Sequence, residues 1–152
     1  MFGGSAAGSE AITKAIRQAS EDASVAALVI RINSPGGSAL ASDLIWRELD
    51  RCHKPIVASL SDTAASGGYY IAVGADEIIA APGTLTGSIG VVGGKIAIGG
   101  ALDRYGIHTY VVSLGRNAGW LSSQKPFTAS EKDAFRTTME DVYRLFTLKV
   151  AQ

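Results

Sequence analysis

Apolar residues change their period several times along the chain, and each change marks an element. Over residues 9–23, Ile12, Ala15, Ile16 and Ala19 recur at helical spacing, with Ser9 placed to cap the start. Residues 26–33 then form a short β-rich run around Leu28, Val29, Ile30 and Ile32, which Ser34-Pro35-Gly36-Gly37 stops. A second helix follows, in which Ala41, Ile45, Leu49 and Cys52 share a face, and residues 55–60 make the next strand. Near-continuous apolar runs of this kind suit a parallel sheet covered on both faces. Beyond Ala64-Ala65-Ser66-Gly67-Gly68 the pattern predicts a small-residue helix over 69–73. Further short strands are expected over 77–81, 88–92 and 108–112, and a helix over 96–104. Thr128-Ala129-Ser130-Glu131 has the spacing of a capping box and opens a helix. Its buried face carries Phe135, Met139, Val142, Leu145 or Phe146, and Val150. Alternating strands and helices imply an α/β fold, a mostly parallel sheet flanked by helices with right-handed crossovers.

Composition narrows the function class. A chain of 152 residues with 47% hydrophobic side chains has the size and core of a single domain, spanning 1–152, and a two-domain enzyme is excluded. Fourteen basic residues balance fourteen acidic ones, so the phosphate attraction that nucleic-acid binding requires is missing. Cys52 is the single cysteine, which excludes an internal disulfide and a cysteine-rich zinc site. The start has no basic and apolar leader pattern. The long uncharged stretch between Glu77 and Lys95 carries too many glycines and hydroxyls, with Pro82, to span a membrane. The final run stops at Lys149-Val150-Ala151-Gln152 without a helix-stop residue, so truncation at both ends of a larger protein is the expectation. What stands out is 18 glycines, against a usual share of roughly 7%.

The glycines cluster in turns. Ser34-Pro35-Gly36-Gly37 lies between a strand and a helix, where it is either a plain tight turn or a place where backbone N–H groups approach a ligand. Ser66, between Ala65 and Gly67, is either a helix N-cap or a serine exposed on a sharp strand-to-helix turn. Both turns open at the same edge of a parallel sheet. Gly37 and Gly67 are therefore positioned to aim two N–H donors at one carbonyl oxygen beside Ser66. A nucleophilic serine needs a base. His53 and His108 fit surface or core roles better; of the candidate lysines Lys14, Lys54, Lys95, Lys125, Lys132 and Lys149, Lys14, Lys132 and Lys149 read as exposed helix positions, while Lys95 and Lys125 lie in loops or at element ends.

Three motifs in order, residues 29–38, 64–71 and 84–90, resemble the S49 serine peptidases of the signal peptide peptidase A (protease IV) group, built on a ClpP/crotonase-like fold. The resemblance covers nearly the whole chain. It implies that Ser66 is the nucleophile, that Gly67 and Gly37 are oxyanion donors, and that Ser88 orients a lysine base. Short members of the family carry that lysine in the loop corresponding to residues 115–125, where this chain has leucine near the position, and Lys125 falls several residues too late. Long members have two tandem halves, one supplying serine and the other lysine, and this chain resembles the serine-bearing C-terminal half.

The implied activity is endopeptidase cleavage of apolar peptides such as remnant signal peptides, with no cofactor and no metal. The base would come from a tandem half or a second copy in a homo-oligomer, with Trp46, Trp120, Tyr69 and Tyr70 as anchors or ordinary core, and the chain alone would turn over little. Location by resemblance is membrane-associated, at a bacterial inner membrane or a plastid membrane, although no span lies in this chain. Two other readings remain open: an assembly module of the same fold without a competent base, and a crotonase-like acyl-CoA enzyme. The latter leaves Ser66 unexplained and lacks a carboxylate near either glycine pair.

Overall fold

A computed structural model describes residues 7–152. They divide into two compact units, one comprising the described residues up to Gly90 together with Leu145–Gln152, the other Val91–Arg144.

The first unit is built on parallel strands. Strand β1 (Leu28–Ser34) pairs with β2 (Ile56–Ala65) along its length, from Leu28 opposite Ile56 to Ser34 opposite Ala64, with an irregularity between Ile32 and Ser34. The other edge of β2 carries two short strands in series. β3 (Glu77–Ile79) pairs with Val57 to Ser59, and β4 (Leu85–Gly87) with Thr63 to Ala65. Three helices cover one face of this sheet: α1 (Ser9–Glu21), α2 (Ala39–Asp50) and α3 (Gly67–Ala72). Period-two alternation places Leu28 and Ile32 of β1, and Ile56, Ala58 and Leu60 of β2, beneath Ile16, Ile45, Leu49 and Ala72.

The mostly parallel sheet flanked by helices is as expected, and within the first unit the described helices lie on one of its faces. The opposite face leaves Val29 70% exposed, and the Arg31 guanidinium lies across it, donating to Ser59 Oγ at 2.8 Å and Ser61 Oγ at 3.1 Å.

Several element ends move. Gly8, not Ser9, occupies the N-cap of α1, and no side chain caps it. The second helix is capped by Ser38, whose Oγ accepts from the Ala41 amide at 3.2 Å, and Cys52 lies beyond its end, half-buried against the core. Instead of a strand over 88–92, the ladder runs Leu85–Gly87 and stops at Ser88, where φ reaches 51°.

In the second unit, α4 (Gly99–Arg104) and the start of α5 (Ala129–Val150) are regular. The capping box forms as expected: the Thr128 amide donates to Glu131 Oε2 at 2.8 Å and the Glu131 amide to Thr128 Oγ1 at 3.3 Å. Phe135 stacks with Phe127 at 5.2 Å and meets Trp120 edge-on at 5.9 Å, and a Cβ on Gly93 would collide with Phe135 and Met139. Residues 108–112, expected as a strand, are irregular, with Tyr110 89% and Val112 98% exposed. A β-prone run becomes a strand only when another backbone accepts its hydrogen bonds, and among the described residues none does. Trp46 and Tyr70 are buried and Tyr69 packs against the core, so their core role prevails over that of exposed anchors.

Leu49→Ala should destabilise the protein by about 2–5 kcal/mol in chemical denaturation, because Leu49 is 2% exposed and its loss opens a core cavity, whereas Leu40→Ala, at a site 69% exposed, should stay within about 0.5 kcal/mol.

Candidate active site

The end of β2 turns sharply into α3. Ser66 stands at the corner with φ 51° and ψ −119°, a conformation that a β-carbon-bearing residue adopts only when its surroundings enforce it. The enforcing contacts come from three directions. On one side the Ser66 amide donates to the Gly87 carbonyl at 2.9 Å, tying the turn to the end of β4. Inside α3, the Tyr70 amide donates to the Ser66 carbonyl at 2.8 Å. On the third side lies the turn after β1, where Gly36 has φ 108° and Gly37 φ 152°.

The two glycine turns meet. A Cβ on Gly36 would stand 2.7 Å from Ser66 Cβ, 2.9 Å from the Gly67 nitrogen and 3.0 Å from Ser66 Oγ. A Cβ on Gly67 would stand 3.4 Å from the Gly37 nitrogen and 2.5 Å from Ser42 Oγ, and one on Gly68 would strike the Ser34 carbonyl at 2.7 Å. Ser66, Gly67 and Gly37, chosen from the sequence, are thus brought together. Backbone hydrogen bonds consume the Ser66 amide but leave those of Gly37 and Gly67 without an acceptor among the described residues. Ser66 is a turn serine rather than a side-chain N-cap, since its hydroxyl makes no capping bond to α3.

Ser88 is adjacent as well. The last ladder pair is Ala65 opposite Gly87, and Ser88 directly follows Gly87, whose carbonyl holds the Ser66 amide; both serines have φ 51°. Thr86 Oγ1 donates to the Ala64 carbonyl at 2.8 Å and Thr84 Oγ1 to the Ser61 carbonyl at 2.9 Å, which fastens this segment to β2. Two contributors were not singled out from the sequence. Gly36, rather than Gly37, is the residue whose bare α-carbon touches Ser66, and buried Ser42 closes on Gly67 from α2. The Gly36 signal was present in the Gly-Gly pair, whereas Ser42 is an unremarkable helix serine until α2 is packed.

No lysine or histidine hydrogen-bonds either serine among the described residues. Lys54 Nζ donates to the Ala19 carbonyl at 2.8 Å and also to that of Asp22. Lys95 lies over the Phe127 ring at 4.3 Å and Lys125 is exposed, both within the second unit. His53 is exposed, and His108 pairs with Asp103 at 3.2 Å on the surface of the second unit. Lys149, expected to be exposed, is 9% exposed and bonded to Asp43, because it continues the buried face of α5 one turn beyond Phe146. No group of three His, Cys, Asp or Glu side chains is placed to hold a metal among the described residues. A groove of about 400 Å³ lies on the uncovered sheet face, beside Arg31, Ser61, Asp62 and Thr84, and includes neither serine.

The first unit is thus a parallel α/β unit with a serine on a strained strand-to-helix turn and a second glycine turn packed against it. Residues 48–152 match peptidase family S49, and the chain belongs to that family. It is 42% identical over 97% of its length to the chloroplastic serine protease SPPA of Arabidopsis thaliana, and 38% identical over 92% to Protease 4 of Haemophilus influenzae. The chain spans 22% and 23% of those two relatives. Among solved structures, a ClpP1 mutant from Listeria monocytogenes aligns with a TM-score of 0.45 and 23% identity over 50% of this chain and 45% of that one. No helix among the described residues is long and apolar enough to cross a membrane.

Gly36→Ala should lower stability by about 1–3 kcal/mol in thermal melting, because the new methyl meets Ser66 and the φ of 108° is strained for alanine. Gly83→Ala, where a Cβ would meet nothing, should change it by no more than about 0.5 kcal/mol.

Proposed function

We propose that the chain carries the nucleophile and oxyanion donors of a serine endopeptidase. The single observation that carries this reading is the close approach of Gly36 and Gly37 to Ser66 and Gly67, which leaves two amides free beside one hydroxyl. Ser66 Oγ attacks the scissile carbonyl carbon, and its proton passes to a lysine amine. The N–H groups of Gly37 and Gly67 then stabilise the tetrahedral oxyanion, at about 3–4 kcal/mol per donor in comparable sites. Collapse expels the peptide amine, which takes the proton from the lysine, and water hydrolyses the acyl-enzyme in the reverse sense. Ser88, one residue beyond the carbonyl that holds the Ser66 amide, orients that lysine.

The base comes from outside the first unit's lysines, since Lys54 and Lys149 are committed elsewhere and Lys14 lies exposed on α1. A tandem half or a second copy of the chain supplies it, and the small residues around Ser66 suit an extended apolar peptide. One relative, from Enterococcus faecium, is named a putative signal peptide peptidase, which supports signal peptides as substrates. A second reading, an assembly module without a competent base, is favoured by the absence of any lysine or histidine bonded to Ser66 or Ser88 among the described residues.

A fluorophosphonate probe applied to the complete protein separates the two. Labelling should disappear in Ser66→Ala and slow by at least about tenfold in Ser88→Ala. No labelling of the wild type, or equal labelling of Ser66→Ala, would sink the peptidase reading in favour of the assembly module. Residues 1–152 alone should cleave an apolar reporter peptide poorly. Robust cleavage would move the base to Lys95 or Lys125, and alanine substitution of each would then locate it.

A further inference from the structure

Behind the turn at Ser66 lies a charge cluster centred on one buried lysine, which the proposed hydrolysis does not use. Lys149, near the end of α5, is the only charged residue among the described ones that is buried. Its ammonium lies 3.3 Å from Asp43 Oδ1 and 2.9 Å from the centroid of the Trp46 ring, a cation–π contact. Asp43 Oδ1 also accepts from the Tyr70 hydroxyl at 2.7 Å, and Asp43 Oδ2 from Arg47 Nε at 2.6 Å. One carboxylate on α2 thereby holds side chains from α2, α3 and α5.

Burial pushes the Lys149 amine below the usual lysine range, and the hydrogen bond and charge of Asp43 oppose that shift. For Asp43, burial raises the carboxyl, but hydrogen bonds from Tyr70, Arg47 and Lys149 outweigh it and hold the group below the usual carboxylate range. The attraction between the two charges offsets part of the cost of burying each.

The arrangement matters because α3 cannot hold itself. It has six residues and opens on two glycines, too short and too flexible to be a stable helix without tertiary anchors. It must nonetheless keep Ser66 at its positive φ. Tyr70 is the link: its amide bonds the Ser66 carbonyl, its ring packs 4.9 Å from Phe146, and its hydroxyl ends on Asp43.

We propose that Lys149 and Asp43 are positioning residues which, by holding Tyr70, set the geometry of Ser66 and the Gly67 amide for attack on the substrate carbonyl. This rests on Ser66 being the nucleophile. The test is the rate of Ser66 labelling by a fluorophosphonate in the complete protein, measured per folded molecule well below each variant's melting temperature. Displacements of about 1 Å at a reacting centre lower rates by on the order of 10²-fold. Lys149→Met and Tyr70→Phe should therefore label at least about tenfold more slowly, while Lys14→Met, an exposed control, should match the wild type.

A purely structural cluster would lower the melting temperature and leave the rate per folded molecule unchanged, and that result would overturn the proposal. Should Lys149→Met fail to fold, Tyr70→Phe decides alone, since it keeps the ring packing and loses only the hydroxyl. A wild type without Ser66-dependent labelling would instead defeat the nucleophile assignment, and this inference with it.

Discussion

A single missing β-carbon governs the geometry around Ser66. Were Gly36 any other residue, its side chain would enter the space held by Ser66 Cβ, Ser66 Oγ and the Gly67 nitrogen at 2.7–3.0 Å. The turns after β1 and β2 close on each other only because this position is bare, and further contacts follow from that closure. Gly68 settles against the Ser34 carbonyl, Gly67 against Ser42 of α2, and the irregularity in the β1–β2 ladder falls where β1 turns away toward Gly36. Strain at Ser66 is of order 1–3 kcal/mol and persists because β4, α3 and the Gly36 turn over-determine the corner.

The two sides of this corner differ in character. In front, the residues are small, and the Gly37 and Gly67 amides have no acceptor among the described residues. Behind, a layer of aromatic rings and one ion pair fixes α3 to α2 and α5: Trp46, Tyr70 and Phe146 form a buried cluster into which Lys149 carries its charge. Such a buried pair adds little net stability, since desolvation offsets attraction, but it allows few alternative packings. That property suits a turn held in a strained conformation.

Much of this was legible in the residues themselves. The glycine pairs at 36–37 and 67–68 announced turns, the apolar runs announced β1 and β2, and Thr128 with Glu131 announced the start of α5. These are short-range effects, set by dihedral freedom, hydrogen bonds over three residues, and period. Residues 88–92 and 108–112 have the same β-prone composition yet carry no strand, because a ladder needs a partner that composition does not name. Lys149 misled for a related reason. A lysine near a helix end reads as solvated, and only the packing of α5 beside Asp43 and Trp46 turns that position inward.

By itself, then, the sequence determined that the chain turns at each glycine pair, where β1, β2 and the helices lie, and which residues to propose as nucleophile and oxyanion donors. Tertiary structure alone decided that Gly36 is the residue packed against Ser66, that the Gly87 carbonyl, next to Ser88, holds the Ser66 amide, and that Lys149 is held by Asp43. The division follows the range of the interactions. Dihedral preference and capping act over a few residues and are written in local composition. Steric contact, ladder register and charge burial join groups far apart in the chain, and they take their values only when the fold brings those groups together.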